Sequence, residues 1–284
     1  MASVELTYID SGGTRMLAVV RGEPGRPAVL MADPFAEEKK CAHRVMTECA
    51  MALADAGITA VRFDYRGCGD SDGDFHDFGL ADWRDDIRAA GAWVRERLRP
   101  PRLALLGVRL GAALVAQVVE DGLAADALVL VAPVIDGVAY WRENFRRQLI
   151  RAKLTAGDHV TADELRAAEQ QEFFDLGGWL VPRKMREEIQ ALSLKPPAFS
   201  PRFAGPCIVL DVAARDEPGQ QAAQLAEAYP AGSARAVRME PFWQRIGLIR
   251  ADPLAAALLD CLPSALGLAG PGAELPTAEE GHGC

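Results

Sequence analysis

Short apolar runs alternate along the chain with stretches in which apolar residues recur at helical spacing. The runs predict strands over Val4–Ile9, Met16–Val20, Ala28–Ala32, Thr59–Phe63, Leu103–Leu106, Ala127–Ala132, Cys207–Val212 and Ala234–Met239. The amphipathic stretches predict helices over Lys40–Ala56, Asp82–Leu98, Ala112–Glu120, Gln220–Tyr229 and Pro253–Leu262. Ser11-Gly12-Gly13 indicates a hairpin between the first two strands. The remaining alternation is typical of βαβ units, so an α/β domain with a mostly parallel, doubly wound sheet is expected.

The alternation stops between Pro133 and Pro206. This stretch is helical in pattern and rich in aromatic residues, and it contains no convincing strand. An insertion of this kind over the carboxyl edge of a sheet predicts a helical cap at about residues 134–205, with plain packing on the outside of the domain as the alternative. A single domain is expected over residues 1–268, followed by a Gly-, Pro- and Glu-rich tail, 269–284, predicted to be disordered.

Composition narrows the functional classes. The net charge of −9 argues against nucleic acid as a partner, because such binding needs a basic face. No apolar run is long enough for a membrane span, and the segment Met1–Glu5 shows no secretory signal, so no membrane insertion and a cytoplasmic location are expected. The six cysteines lack CxxC spacing and the four histidines are scattered. Free thiols, no metal and no cofactor are therefore predicted.

The segment Leu103–Leu114 carries the strongest functional pattern. It is predicted to run from strand through a sharp turn into a helix, and the turn reads Gly107-Val108-Arg109-Leu110-Gly111. It resembles the nucleophile elbow of α/β-hydrolases, G-x-S-x-G, with an arginine in place of the serine. The resemblance implies the α/β-hydrolase fold with a helical cap.

Further segments match the same superfamily. Asp64–Ser71 resembles its D-x-R-G-x-G-x-S loop, Asp33-Pro34-Phe35 stands where many members have the His-Gly of the oxyanion hole, and Arg215-Asp216 stands where the catalytic acid is usual. Four segments together resemble the second of two hydrolase-type families associated with the bacterial exosortase A system: Pro34–Glu38, Gly67–Ser71, Gly107–Ala112 and Pro241–Gln244. That resemblance implies a bacterial protein associated with exopolysaccharide and protein sorting.

The catalytic triad of such enzymes is incomplete. A serine hydrolase needs a nucleophile, a histidine that takes its proton and an acid that orients the histidine. Arg109 stays protonated and is neither nucleophile nor base. Trp243 stands near the place of the histidine, and His282 lies far along in the tail. Asp216 then has no histidine to orient, so acyl-enzyme chemistry is not expected.

Arg109 has two possible roles in this setting. At a helix N-terminus its guanidinium is suited to a ligand carboxylate or phosphate; alternatively it pairs internally with Glu37, Glu38 or Asp216. Glu37 or Glu38 could act as a general base while Arg109 holds the developing charge, or both could be an acidic first turn of a helix. Tyr140-Trp141-Arg142 and Arg146-Arg147 in the cap either contact substrate or belong to an amphipathic surface helix.

The candidate site follows from these arguments. Glu37, Glu38, Arg109 and Asp216 are the candidate catalytic residues. The residues expected to bind substrate are Phe35, Cys68, Val108, Leu110 and Trp243. The favoured interpretation is a hydrolase-like enzyme with non-standard chemistry on a small or exopolysaccharide-related anionic substrate, glycan or acyl, held by Arg109. The alternatives are a non-catalytic module that binds a ligand or a partner, and a hydrolase with Cys68 as displaced nucleophile rather than a packing residue.

Overall fold

A computed structural model describes residues 2–156, 161–247 and 249–268 of the protein. Its main feature is a sheet of eight strands: β1 (Val4–Ser11), β2 (Thr14–Arg21), β3 (Ala28–Ala32), β4 (Thr59–Phe63), β5 (Leu103–Val108), β6 (Ala127–Val131), β9 (Cys207–Ala213) and β10 (Gly232–Arg238). Their order is β1-β2-β4-β3-β5-β6-β9-β10. Only β1 with β2 and β2 with β4 pair antiparallel. The mostly parallel α/β sheet expected from the sequence is confirmed.

The central strands are continuous apolar runs because helices cover both of their faces. In β3, Leu30 faces one hydrophobic layer and Met31 the other, as alternation along a strand requires. The first layer includes residues of α2 (Leu80–Trp93), α3 (Leu110–Glu120) and α7 (Gln220–Ala228). The second layer includes residues of α1 (Glu37–Asp55) and α8 (Asp252–Ala265). The core therefore lies on both sides of the sheet.

The N-terminal hairpin forms at the predicted place. Gly12 and Gly13 make the two-residue turn with φ angles of 59° and 81°, a conformation that glycine adopts at little cost. Ser11 and Thr14 close the turn as a pair. Among the described strands, β1 pairs only with β2 and forms one edge of the sheet.

The insertion between β6 and β9 contains more than helices. It consists of α4 (Gly137–Ala156), α5 (Ala162–Glu169), β7 (Phe173–Asp175), β8 (Leu180–Pro182) and α6 (Arg183–Ala191). The expectation that it lacks strands was wrong, because β7 and β8 pair as a small antiparallel hairpin. Each strand has three residues, too few for a period-two pattern to stand out in the sequence. Gly177 and Gly178, both with positive φ, form the turn.

Several element boundaries also differ from the predictions. Helix α1 begins at Glu37 rather than Lys40, so both acidic residues lie in its first turn. The helix predicted over Asp82–Leu98 is α2 followed by a π-helical turn, Val94–Leu98. The tail 269–284 lies outside the described residues. Within the described ranges, every helix is too short or too polar to cross a membrane.

Candidate functional site

Arg109 occupies a strained turn between β5 and α3. Its φ and ψ are 55° and −118°, which a non-glycine residue rarely adopts. The flanking glycines are required by close packing. A Cβ on Gly107 would lie 2.4 Å from Ala112 Cα, and one on Gly111 would lie 2.4 Å from the Asp33 carbonyl oxygen. The turn therefore has the geometry of a nucleophile elbow, with the side chain of Arg109 at its apex.

The Arg109 guanidinium is largely buried, and its contacts are long. Nε–H donates to Glu38 Oε1 at 3.4 Å and Nη1–H to the Ala132 carbonyl at 3.3 Å. Nη2 lies 3.7 Å from a carboxylate oxygen of Glu143 in α4. The guanidinium also lies 5.3 Å from the ring centre of Tyr140 and 4.9 Å from that of Trp243. Burial opposes the charge of Arg109, but the acidic neighbours outweigh it and raise its pKa.

Glu38 is the acidic residue that meets Arg109. Its side chain is 4% exposed. Its carboxylate accepts a hydrogen bond from the Tyr140 hydroxyl at 2.9 Å and lies 3.7 Å from the Arg147 guanidinium. Arg147 also pairs with Glu143. Burial raises the pKa of Glu38 against the lowering effects of Arg109 and Tyr140. The result is a network of two carboxylates, two guanidinium groups and a phenol that joins α1, the elbow and α4; Glu38, Arg109 and Tyr140 are its buried part, and Glu143 and Arg147 are partly exposed.

The other two predicted acidic residues lie apart from this network. Glu37 is partly exposed, and its carboxylate is 3.9 Å from Arg151. Asp216 is exposed and pairs with Arg238 at 3.1 Å. Its catalytic role stays a prediction, and the aspartate that lines a cavity together with Arg109 is Asp211 of β9. Asp211 pairs with Arg215 at 2.5 Å and accepts the Gly219 N–H at 2.7 Å.

Four of the five predicted substrate-binding residues lie in the core. The side chains of Phe35, Cys68, Val108 and Leu110 are almost fully buried, and none of them is in the lining of the two cavities beside Arg109 and Glu38 described below. Phe35 packs against aromatic rings, and Val108 lies in the layer beneath α1 and α8. Burial raises the pKa of the Cys68 thiol to about 12, which disfavours the thiolate that a nucleophile needs.

Trp243, the fifth, lies between two cavities. The first, here called the arginine cleft, has a volume of about 370 Å³ and includes Arg109, Asp211, Arg215 and Trp243 in its lining. The second, here called the cap cavity, has a volume of about 200 Å³; Glu37, Glu38, Asn144, Arg147, Arg151 and Trp243 are among its lining residues. Arg109 thus borders one cavity and its partner Glu38 borders the other.

The described residues do not complete a triad. Their two histidines are elsewhere: His43 contacts Arg62, and His76 lies near Asp77. His159 and His282 are outside the described residues. Over the described ranges there is also no group of three or more His, Cys, Asp or Glu residues arranged to hold a metal ion.

A second buried ionic cluster lies beside the site. Lys39 donates to Asp33 at 3.0 Å and to Asp64, and Arg62 lies 3.4 Å from Asp33. The cluster ties the end of β3 to the loop after β4, and so fixes the start of α1. Burial raises the pKa of Asp33, but the charges of Lys39 and Arg62 outweigh it and hold that pKa below its ordinary value.

Comparison with known proteins gives matches over much of the chain. The family model for serine aminopeptidases, S33, matches residues 39–167, a segment that includes Arg109. An uncharacterized protein of Mycobacterium tuberculosis is 30% identical over 187 residues. The match spans 61% of this chain and 60% of the mycobacterial protein.

Two solved structures superpose on nearly the whole chain. Est1E from Butyrivibrio proteoclasticus, with bound ferulic acid, has a TM-score of 0.67 and 16% identity, covering 92% of this chain and 99% of its own. GrgF from Penicillium sp. sh18 has a TM-score of 0.64 and 15% identity, covering 94% of this chain and all of its own. At such identities the likeness concerns the fold alone.

Proposed function

We propose, on the premise that the chain has the α/β-hydrolase fold, that it binds a small anionic ligand on Arg109 and forms no acyl-enzyme. The observation that carries the proposal is the state of Arg109. It is a largely buried guanidinium at the nucleophile position, and among the described residues it makes only two hydrogen bonds, both longer than 3.2 Å. Charge-assisted bonds are normally shorter, so the guanidinium retains capacity for a stronger partner.

Glu143 is the group that the ligand displaces. Its carboxylate is 44% exposed and lies 3.7 Å from Arg109 Nη2, beyond hydrogen-bond distance. A ligand carboxylate or phosphate in the arginine cleft could take the free edge of the guanidinium at shorter distance. Glu38 stays in place because Tyr140 and Arg147 also hold it.

Two further features favour negative charge in the arginine cleft. Arg109 is the residue that precedes α3, an eleven-residue helix whose N-terminus attracts anions. Arg215 lines the same cleft and is more than half exposed beside Asp211. Because Glu38 and Asp211 already offset part of the charge of these two arginines, the groups suit a singly charged anion best.

The ligand class follows from the cleft and from the sequence resemblance. A volume of about 370 Å³ accommodates a molecule the size of a monosaccharide derivative or a short acyl acid. The resemblance to the exosortase-associated family makes a sugar phosphate or a uronate the first choice of probe.

Calorimetric titration tests the proposal with inorganic phosphate, acetate, glucose 1-phosphate and glucuronate as probes. At least one probe is expected to bind with a Kd of about 1 mM or tighter. Arg109→Gln should abolish the binding, and Glu143→Gln should strengthen it several-fold by removing the competing carboxylate. Arg44→Gln, an exposed arginine in α1, is the matched control and should change nothing. Absence of binding, or binding unchanged in Arg109→Gln, contradicts the proposal.

A fluorophosphonate probe tests the second half of the proposal. No labelling is expected, because the elbow has no nucleophile and the Cys68 thiol is buried and protonated. Labelling that disappears in Cys68→Ala would instead establish a displaced nucleophile.

Glu38 favours a second candidate, an enzyme acting on the same bound anion. Burial raises the pKa of Glu38 above its ordinary value, and its carboxylate contacts Arg109 while also bordering the cap cavity. In this version Glu38 removes a proton from water or from an acidic C–H, and Arg109 stabilises the negative charge that develops. NMR in D2O would detect exchange of a ligand C–H. Glu38→Gln should stop the exchange while leaving ligand binding intact; loss of both, or of neither, argues against this role.

A further inference from the structure

Strand β1 forms one edge of the sheet and carries a row of exposed apolar side chains. Residues Val4, Leu6 and Tyr8 alternate along one face and are 49%, 67% and 48% exposed. Among the described strands, only β2 pairs with β1. An edge of this length that is neither covered nor interrupted by proline is a template for another strand.

The hairpin register identifies the groups that are free. Ser11 and Thr14 flank a two-residue turn, so they form a hydrogen-bonded pair, and such pairs recur at every second residue. The odd-numbered residues of β1 therefore exchange backbone bonds with β2. The N–H and C=O groups of Val4, Leu6 and Tyr8 point to the free edge, which makes the most exposed apolar residues also the ones ready to pair.

We propose that two copies of this chain associate through β1, antiparallel, with Leu6 of each copy on the two-fold axis. In this register Val4 faces Tyr8 of the second copy, and three hydrogen-bonded pairs supply about six backbone bonds. The apolar row of one copy continues into that of the other, so the side chains that are now exposed cover each other.

Charge placement supports a second copy as the occupant. Glu5 faces Thr7 of the second copy, and no charged residue between Val4 and Tyr8 lies directly opposite a like charge. The two strands are complementary because the sequence is apolar at both ends and at the centre of this segment. The sheet of the dimer would be continuous and have sixteen strands. Each arginine cleft would lie several strands away from the pair of β1 strands.

Sedimentation velocity from about 5 to about 300 µM tests the proposal over the range in which small interfaces associate. The wild-type chain is expected to shift from monomer toward dimer. Leu6→Pro removes an N–H that points to the free edge and leaves the bonds to β2 intact, so it should weaken dimerisation by about tenfold or more. Leu6→Lys should do the same by placing like charges face to face on the axis. Far-UV circular dichroism and the Tm establish that both variants remain folded.

Oxidative crosslinking tests the register. Leu6→Cys should form a disulfide dimer, because the two Cα atoms of such a pair lie about 5.5 Å apart, within disulfide range. Thr7→Cys is the matched control and should crosslink much less, and the oxidised wild type accounts for the native cysteines. A wild-type chain that stays monomeric, a dimer that survives both substitutions, or equal crosslinking at the two positions overturns the proposal.

Discussion

Replacing Arg109 with methionine removes the cation from the buried part of the network and keeps most of the side-chain volume. Glu38 then retains the Tyr140 hydroxyl at 2.9 Å and Arg147 at 3.7 Å, but loses its nearest guanidinium. Breaking a buried ion pair on one side typically costs about 3–5 kcal/mol, because the remaining charge stays in a poorly solvated place. The two retained partners place the expected loss near the lower end of that range at neutral pH.

Protonation of Glu38 sets a ceiling on the electrostatic part of this loss. The folded variant can always neutralise the carboxyl, at about 1.4 kcal/mol for each pH unit above its ordinary pKa of about 4.3. The ceiling is about 3.7 kcal/mol at pH 7 and about 1 kcal/mol at pH 5. Where a carboxyl has a higher pKa in the folded than in the unfolded protein, the protein loses stability as pH rises from the unfolded pKa toward the folded pKa. Burial already raises the pKa of Glu38 in the wild-type protein. The loss of unfolding free energy in Arg109→Met should therefore grow from pH 5 to pH 7.

Urea unfolding of Arg109→Met, Glu38→Gln and the double variant between pH 5 and pH 8 measures these quantities. The double variant lacks both charges, so it should be more stable at pH 7 than Arg109→Met and much less dependent on pH. A deficit of Arg109→Met that is equal at pH 5 and pH 8, or additive effects of the two substitutions, would refute the account of Glu38 as a buried charge dependent on Arg109.

Four further predictions concern buried groups around the site. Lys39→Met should reduce the free energy of unfolding by about 3 kcal/mol in urea denaturation, because it leaves two aspartates of a buried cluster without their shared cation. The lowered pKa of Asp33 contributes stability above its ordinary value of 3.8 that is lost as pH falls through the folded pKa, so Asp33→Asn should flatten the acid limb of stability against pH. Gly107→Ala should destabilise by about 2 kcal/mol or more through its 2.4 Å contact, whereas Gly247→Ala, whose added methyl meets nothing within 4 Å, should leave the Tm unchanged. Alkylation of Cys68 in mass spectrometry should require unfolding; rapid labelling of the native chain would contradict its burial.

The elbow could be predicted from the sequence because its causes are local. Gly107 and Gly111 are needed where a strand turns sharply into a helix, and their spacing around Arg109 expresses that need directly. The central strands could also be predicted from the sequence, since a strand buried on both faces is an uninterrupted apolar run. The position of the candidate site at the carboxyl edge followed from those two features.

The partners of Arg109 could not be predicted in the same way. Tyr140 meets Glu38 across 102 residues of chain, and no short-range pattern encodes such a contact. The spacing of Tyr140, Glu143 and Arg147 along α4 indicates one shared helix face, but not what that face meets. Asp211 was missed because it lies within an apolar strand, while Asp216 stood at the expected loop position.

Conformational strain in the described chain is concentrated around Arg109. Of the four described non-glycine residues with positive φ, three lie at the site: Ala36 precedes α1, Arg109 precedes α3, and Ala132 follows β6. Each such conformation costs roughly 1–3 kcal/mol and persists only where the surroundings enforce it. The close packing of Gly107 and Gly111 enforces it here whatever the residue at the apex, and the Ala132 carbonyl accepts a bond from Arg109. The scaffold therefore directs position 109 toward the cleft, which is the placement that the proposed anion site requires.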